Sequence, residues 1–328
     1  MSQARWITEG DVVGLLSLEE AMVPLEAGLR HLAKDGAATV PKAMHAWAGG
    51  SIHALGAYDP VVGLAAFKTW INTPAGAVAL LTLFDTASGR LRAVIEAGVL
   101  GAMRTSGVTG LATRELAASD ADEASIIGSG RQAQLQLAAI ALVRPLRRVR
   151  FWSPTPEKRE GAAAAARQRF GLDAVAVATL EEAVADSPII ATVTRARDPF
   201  LSRGLLARGA HLNAVGAILP GFAETMPDVL TAADMIVADS VAGVAGLREV
   251  SEAEASSPGI AGRIIDLPSL LVGSSVRPAD PGLTVFKSVG IGMSDLAVAS
   301  EVLARAEAQN VGRDIDHPIP VPPRWRAG

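Results

Sequence analysis

Apolar and polar positions along the chain change their rhythm twice. Residues 6–16 hold a short apolar segment, and Ser17-Leu18-Glu19-Glu20 then matches a helix capping box. Leu18, Met22, Leu25, Leu29 and Leu32 share one face of the helix that follows, which Gly36 is placed to end. Pro24 lies inside that helix and predicts a bend or a later start. Between residues 38 and 97 the rhythm is that of strands. Segments 43–48 and 51–57 flank Gly49-Gly50, segment 61–71 is apolar apart from Lys68, and segments 77–84 and 90–97 flank a polar turn from Asp85 to Gly89. Strands joined by turns this short predict a mainly antiparallel sheet. Residues 98–118 then read as helix, with Arg104 near its start and Val108, Leu111 and Leu116 facing inward.

After a polar linker, Ser119 to Glu123, strands and helices alternate. Strands are expected at 124–127, 148–152, 174–178, 188–193, 210–216, 234–238 and 284–289, and helices at 130–143, 156–170, 179–185 and 202–208. Such alternation predicts an α/β unit, a doubly wound parallel sheet with helices on both faces. A long helix over 294–309 is placed to return to the first unit, and the proline-rich tail HPIPVPPRWRAG reads as extended. The expected domains are 1–118 with 299–328, an α+β unit with an antiparallel sheet, and 119–298, a Rossmann-type unit. No internal repeat is visible.

The junction of strand and helix at 124–143 carries the first chemistry. Its sequence is ASIIGSGRQAQLQLAAIALV. Gly128 permits a tight turn, Gly130 lets the backbone approach a pyrophosphate, and Ala133 lets helix and strand pack closely. The free N–H groups of the helix start then face the phosphates. An NAD site places an acid at the end of the next strand to hold the ribose 2′-hydroxyl. Here that strand ends Phe151-Trp152-Ser153-Pro154-Thr155, with no acid, and Arg131, Lys158 and Arg159 are near in sequence. This favours NADP(H) over NAD(H), although Ser153-Pro154-Thr155 also suits the start of a helix at Pro156.

Composition narrows the rest. The 328 residues have a net charge of −4, a mean hydropathy of +0.30 and no cysteine. Thiolate chemistry and disulfides are therefore excluded, and no basic block points to nucleic acid. No His, Asp and Glu cluster has metal spacing. Without an apolar leader or an 18-residue apolar run, a cytoplasmic protein is expected.

Three cations sit among apolar neighbours: Lys42 in TVPKAM, Lys68 in LAAFKTW and Arg104 in GAMRTSG. Charges are seldom buried alone. Either they converge on an anionic substrate or each reaches the surface from a strand edge or helix end. His45, His53 and His211 read as structural or pocket-lining, and Asp295 as a cap of the last long helix or a residue packed near the cofactor.

The runs VPKAM, FKTWINTP, GAMRTSGVTGLATRELA, IIGSGRQAQLQL, GAHLNAVGA and VFKSVGIGMSDLAVA, in this order over residues about 40 to 300, resemble the ornithine cyclodeaminase/mu-crystallin family. That resemblance implies a substrate-binding and dimerising domain joined to a Rossmann domain, hence a homodimer. It implies that Lys42, Lys68 and Arg104 grip a substrate carboxylate. Lys68 can supply a proton to the imine nitrogen if the neighbouring cations lower its pKa. The resemblance also implies that Thr105, Gly128, Gly130, Arg131, Gln132, Ser153, Pro154, Thr155, Thr192, Val215 and Ser288 line the dinucleotide. Two departures matter. Lys42 stands where many members carry Arg, and Ile218 stands where cyclodeaminases carry an Asp for proton transfer and amine binding. Glu224 matches another position, read as structural. An isoleucine does neither job, so the resemblance points to reduction of a cyclic or other small carboxylate-bearing imine. Ornithine cyclodeamination, amino-acid dehydrogenation and non-catalytic binding of nucleotide and ligand remain as rivals.

Overall fold

The computed structural model describes residues 3–325. In chain order the first elements are β1 (Ala4–Ile7), α1 (Glu9–Leu15), α2 (Leu18–Lys34), β2 (Ala38–Trp47), β3 (Gly50–Asp59), β4 (Leu64–Thr73), β5 (Gly76–Asp85), β6 (Leu91–Glu96) and α3 (Gly98–Leu116). The alternating part follows with β7 (Glu123–Ile127), α4 (Arg131–Val143), β8 (Arg148–Trp152), α5 (Pro156–Phe170), β9 (Asp173–Ala176), α6 (Leu180–Val184), β10 (Ile189–Thr192) and β11 (Ala210–Ala214). The chain continues through α7 (Pro227–Ala232), β12 (Met235–Ala238), α8 (Val241–Ala245), α9 (Arg248–Ser256), β13 (Ile264–Asp266), α10 (Leu267–Leu271), β14 (Leu283–Lys287), α11 (Gly292–Gln309) and β15 (Arg313–Ile315).

Two sheets result. The first has the order β15-β1-β6-β5-β4-β3-β2 and is antiparallel except where β1 runs parallel to β6. The second, β13-β12-β14-β11-β10-β7-β8-β9, is parallel throughout. In it the chain leaves β7 towards β8 and β9, then returns to the other side at β10. The end of β7 is therefore the topological switch point, where ligands of such sheets bind. One hydrophobic core joins the two sheets. Leu25 and Leu29 of α2, Leu111 of α3, Leu296 of α11 and Phe286 of β14 belong to a single buried cluster.

Local chemistry explains the helices that position the site. Ser17 accepts a hydrogen bond from the Glu20 N–H, and the Glu20 carboxylate accepts one from the Ser17 N–H, so the capping box closes. Helix α2 runs on through Pro24 to Lys34 rather than starting later. Helix α11 begins against β3, where a Cβ on Gly292 would lie 2.0 Å from the Gly56 carbonyl oxygen. Only glycine allows that approach, and it brings the first turn of α11 over the first sheet.

Several expectations need correction. Residues 61–63 form a turn ahead of β4, and the expected helix at 202–208 is one 3₁₀ turn at Arg203–Leu205. Strands β1, β13 and β15 and helices α7 to α10 add to the expected elements. Thr155 does precede α5, but its side chain makes no capping bond. After β15 pairs with β1, the tail runs to residue 325 without regular structure; residues 326–328 lie outside the described part. Among the described residues, no helix is long and apolar enough to cross a membrane and no three His, Cys, Asp or Glu side chains gather as a metal site.

His211 of β11 is fully buried between Thr284, 3.0 Å from Nδ1, and Asn213, 3.1 Å from Nε2. Burial pushes its pKa down to about 3. A depressed folded-state pKa means that its contribution is complete above about pH 6.5 and is lost as pH falls below it. Between pH 6.5 and 5, the denaturant-derived stability of the native protein should therefore fall about 2 kcal/mol further than that of His211→Gln. Parallel pH curves for the two proteins would contradict this reading.

Candidate active site

Lys68 lies on β4 between Leu55 and Leu81 in the sheet register, both buried on the covered face. Its ammonium meets a carboxylate there. Lys68 Nζ is 2.5 Å from Asp295 Oδ1, and Arg104 Nε donates to the same oxygen at 3.1 Å. Asp295 Oδ2 is buried without a partner. Asp295 is thus not the cap of α11: the N-cap is Ile291, and Asp295 is turned from the first helical turn into the cation pair. Burial first and Arg104 second push the Lys68 pKa down, Asp295 opposes both, and the net result is a pKa of about 8.

Lys42 approaches from β2. Pairing with β3 shifts register between Val40 and Ala43, where Pro41 has no N–H for the ladder. The irregularity leaves Lys42 half-buried, with Nζ 5.9 Å from the centroid of Trp70; Lys68 Nζ is 5.1 Å from the same ring. Burial, then Arg104, lowers the Lys42 pKa, while Asp239 acts in the opposite direction. His53 stacks on Trp70 at 4.5 Å, and Ser51 Oγ holds its Nε2 at 2.8 Å. Burial followed by Lys42 lowers the His53 pKa. His45 is exposed on the sheet.

These groups line neighbouring cavities that share lining residues. A lobe of 250 Å³ holds Lys68, Trp70, Arg104, Arg131 and Gln132. It shares Arg104 and Gln132 with a lobe of 230 Å³ lined by Thr105, Val215, Ser288 and Ile218. Ile218 in turn joins a second 230 Å³ lobe, with Ser51, His53, Asn72 and Arg195, and a 460 Å³ lobe that contains Lys42.

The cleft reaches the switch point of the second sheet. Gly128 has φ +129°, and a Cβ there would lie 2.9 Å from Val193. Gly130 is the N-cap of α4 without a side-chain bond, and a Cβ on it would meet nothing within 4 Å. The open glycine face beside unsatisfied helix N–H groups fits a pyrophosphate. Ser153 accepts from Ser129 at 3.0 Å, which ties the end of β8 to the turn, and Pro154 and Thr155 continue from it. Arg159 donates to the Ser153 carbonyl at 3.0 Å, so a guanidinium stands where an NAD site has its acid. Arg131 is exposed and donates to the Gly98 carbonyl at 3.1 Å.

Thr192 has a partner within the protein. It is fully buried, and its hydroxyl donates to Glu224 at 2.8 Å rather than lining a lobe. The buried Glu224 carboxylate also accepts from the Thr194 N–H at 2.6 Å, the Gly216 N–H at 2.9 Å and the Ala217 N–H at 3.2 Å. It thereby fixes both loops that border Ile218. Asp239 does the same for the loop after β14, accepting from Ser288 Oγ at 2.7 Å, Val289 N at 2.9 Å and Gly290 N at 2.8 Å. Gly290 has φ +81°, and a Cβ there would lie 2.6 Å from Arg104 Nη1, so that loop lies directly on Arg104.

Sequence reasoning missed Asp239, Arg195 and the role of Asp295. One signal was available for the last: an acid within GMSDLAVA is as much a stranded charge as Lys68 within LAAFKTW, and each requires an opposite charge.

The chain is similar to known imine reductases in sequence and in fold. A Δ(1)-pyrroline-2-carboxylate reductase of Bacillus cereus is 33% identical over 242 residues, covering 72% of this chain and 74% of that protein. The iminosuccinate reductase of Paracoccus denitrificans is 28% identical over 321 residues, 94% of this chain and 99% of its own. Its structure with NAD+ matches at a TM-score of 0.89, with 25% identity, over 96% of this chain and 100% of that one. The Thermococcus litoralis Δ(1)-pyrroline-2-carboxylate reductase in complex with NADH and L-proline matches at a TM-score of 0.89 and 25% identity, over 95% of this chain and 100% of that one. The ornithine cyclodeaminase/mu-crystallin family matches residues 5–310, nearly the whole chain, and the protein belongs to that family.

Proposed function

We propose that the protein is an NAD(P)H-dependent reductase of small carboxylate-bearing imines, of the kind represented by pyrroline-2-carboxylate, and that it prefers NADPH. The observation that carries this reading is the charge in the cleft. Lys68 and Arg104 share one buried carboxylate, Asp295, and Lys42 stands near Trp70, whose ring Lys68 also approaches, so cationic charge is left over beside the glycine turn. An anionic substrate balances it. The similarity to imine reductases supports the same chemistry.

The nicotinamide cofactor, when bound, supplies the hydride. The chain's own groups hold and orient the substrate. Lys68, Arg104 and Lys42 grip the carboxylate, which fixes the adjacent imine carbon; this positioning is the main catalytic contribution. Lys68, with its pKa brought down to about 8, is the proton donor to the imine nitrogen. Ile218 gives the cleft an apolar wall where a cyclodeaminase has an acid, so the chain lacks the group that would hold the substrate amine and move its proton during ring closure and ammonia loss, and imine reduction alone is favoured. Arg159, held at the end of β8, supports the NADPH preference.

The proposed assembly is a homodimer through the outer face of the first sheet. Ile52, Ile71 and Val78 lie in register across β3, β4 and β5 and are 46%, 45% and 72% exposed. A second copy of the same face would cover this apolar row.

Purified protein mixed with pyrroline-2-carboxylate should oxidise NADPH in a one-to-one ratio, with a lower KM for NADPH than for NADH. Ammonia released from ornithine without imine reduction would establish the cyclodeaminase instead, and a lower KM for NADH would overturn the cofactor preference. The pH profile offers a second check. If protonated Lys68 is required, kcat/KM falls as pH rises through about 8. Asp295→Asn removes the anion that raises the Lys68 pKa, so with the same substrate the limb should move to lower pH. Lys68→Met should lower kcat/KM by about 10²-fold or more; intact turnover in that variant would remove Lys68 from the mechanism.

A further inference from the structure

Holding a small ring by its carboxylate leaves one cavity without a use. It measures 460 Å³, against 250 Å³ and 230 Å³ for the two cavities that Arg104 lines. It lies between β2, residues 218–220, α8 and the loop 289–291. Met44, Leu55, Ile218, Leu247, Val289 and Ile291 make its walls apolar. Met44 and Ile218 are 41% and 38% exposed, so large apolar side chains stand open here instead of packing against the core. Polar groups are few. Lys42 is the only charged residue that lines the cavity, and the Ser240 hydroxyl is occupied by the Gly243 N–H at 3.0 Å, as the cap of α8. An apolar pocket with a single charge placed in it suits an apolar ligand that carries one opposite charge.

The cavity is separate from the cofactor site. None of the residues assigned above to the dinucleotide lines it. It belongs instead to the carboxylate clamp, because Lys42 is part of both. The Lys42 ammonium has no hydrogen bond or ion pair among the described residues, only the Trp70 ring, whose centroid is 5.9 Å away. Asp239, the carboxylate that acts on its pKa, has both oxygens engaged by the Ser288–Gly290 loop. Lys68 Nζ is 5.1 Å from the same Trp70 ring. Gly290 lines this cavity too, and a Cβ on it would lie 2.6 Å from Arg104 Nη1. A carboxylate on Lys42 therefore has the other two cations close by, and whatever is bonded to it meets apolar walls. Moving an apolar group from water onto such walls is favourable in proportion to the area covered.

We propose that this cavity receives the side chain of the substrate, and that the preferred substrate is an α-imino acid with a bulky apolar side chain. Lys42 is the hinge of that recognition: its ammonium holds the carboxylate at the mouth of the cavity that takes the side chain. The proposal rests on the imine-reductase reading above. The reaction is balanced: a hydride adds to the imine carbon, a proton adds to the nitrogen, NADPH becomes NADP+, and the product is an apolar α-amino acid.

The test uses two keto acids that differ only in the side chain, pyruvate and 4-methyl-2-oxopentanoate, each converted to its imine with ammonium. The wild-type protein should show a kcat/KM at least tenfold higher with 4-methyl-2-oxopentanoate. Ala242 is exposed on α8 and lines the cavity, so Ala242→Trp fills it without disturbing the core. That variant should lower the ratio at least tenfold, while kcat/KM with pyruvate and the KM for NADPH change less than threefold. Met44→Gln, which makes the β2 wall polar at nearly the same size, should lower the ratio at least threefold and decides the matter if Ala242→Trp does not fold. In the wild-type enzyme 4-methylpentanoate should compete with the imine at a concentration at least tenfold below propionate. A wild-type ratio near one, or a ratio unchanged in the folded variant, overturns the proposal. Inhibition by 4-methylpentanoate that does not compete with the imine assigns the cavity to a separate ligand and overturns it too. Reduction of pyrroline-2-carboxylate without any preference for the apolar side chain sinks this inference alone, whereas failure to reduce any imine sinks the proposed function with it.

Discussion

Lys68, Arg104 and Asp295 are buried together where β4, α3 and α11 meet, and the active-site geometry depends on that meeting. Removing an ion from water costs several kcal/mol, and partners recover it only when they are close and well directed. One carboxylate oxygen here receives both cations. Taking away Asp295 would leave two buried positive charges facing each other, a situation that costs about 3–5 kcal/mol in comparable pairs. The cluster therefore links stability to substrate recognition. It holds the cations in place, yet its single negative charge does not neutralise them.

The surrounding structure serves to keep that cluster at the mouth of the second sheet. Gly292 lets α11 dock on β3, which delivers Asp295 to Lys68. Asp239 ties down the Ser288–Gly290 loop, which in turn lies on Arg104. Glu224 fixes the two loops beside Ile218 from below, in a buried network that continues through Glu249 to Lys287. Each loop at the switch point is held by a carboxylate accepting backbone N–H groups, an economical way to preorganise a cleft.

What could be read from the sequence follows a physical division. The hairpin at Gly49-Gly50, the capping box at Ser17 and the turn at Gly128 to Ala133 are local, because a few neighbouring residues determine them. The convergence of Lys68 with Arg104 was legible only as a pair of stranded charges. Their anion was misread because Asp295 stands near a helix start, where a cap is ordinary, and its partner Lys68 is 227 residues away. The pairing of β15 with β1 is likewise remote, and α7 to α10 are too short for apolar periodicity to mark them. The bond from Thr192 to Glu224 is remote for the same reason: strand position alone does not say that Glu224 claims its hydroxyl.

The function proposed for this protein depends on the buried cation cluster acting as a carboxylate clamp facing the glycine turn. A crystal structure of the protein with NADP+ and L-proline, the reduced product of pyrroline-2-carboxylate, tests it most directly. The proline carboxylate is expected within hydrogen-bond distance of Lys68 and Arg104, with Lys42 alongside and the ring against Ile218. A carboxylate bound elsewhere in the cleft, with Lys68 and Arg104 still engaged only by Asp295, would contradict it.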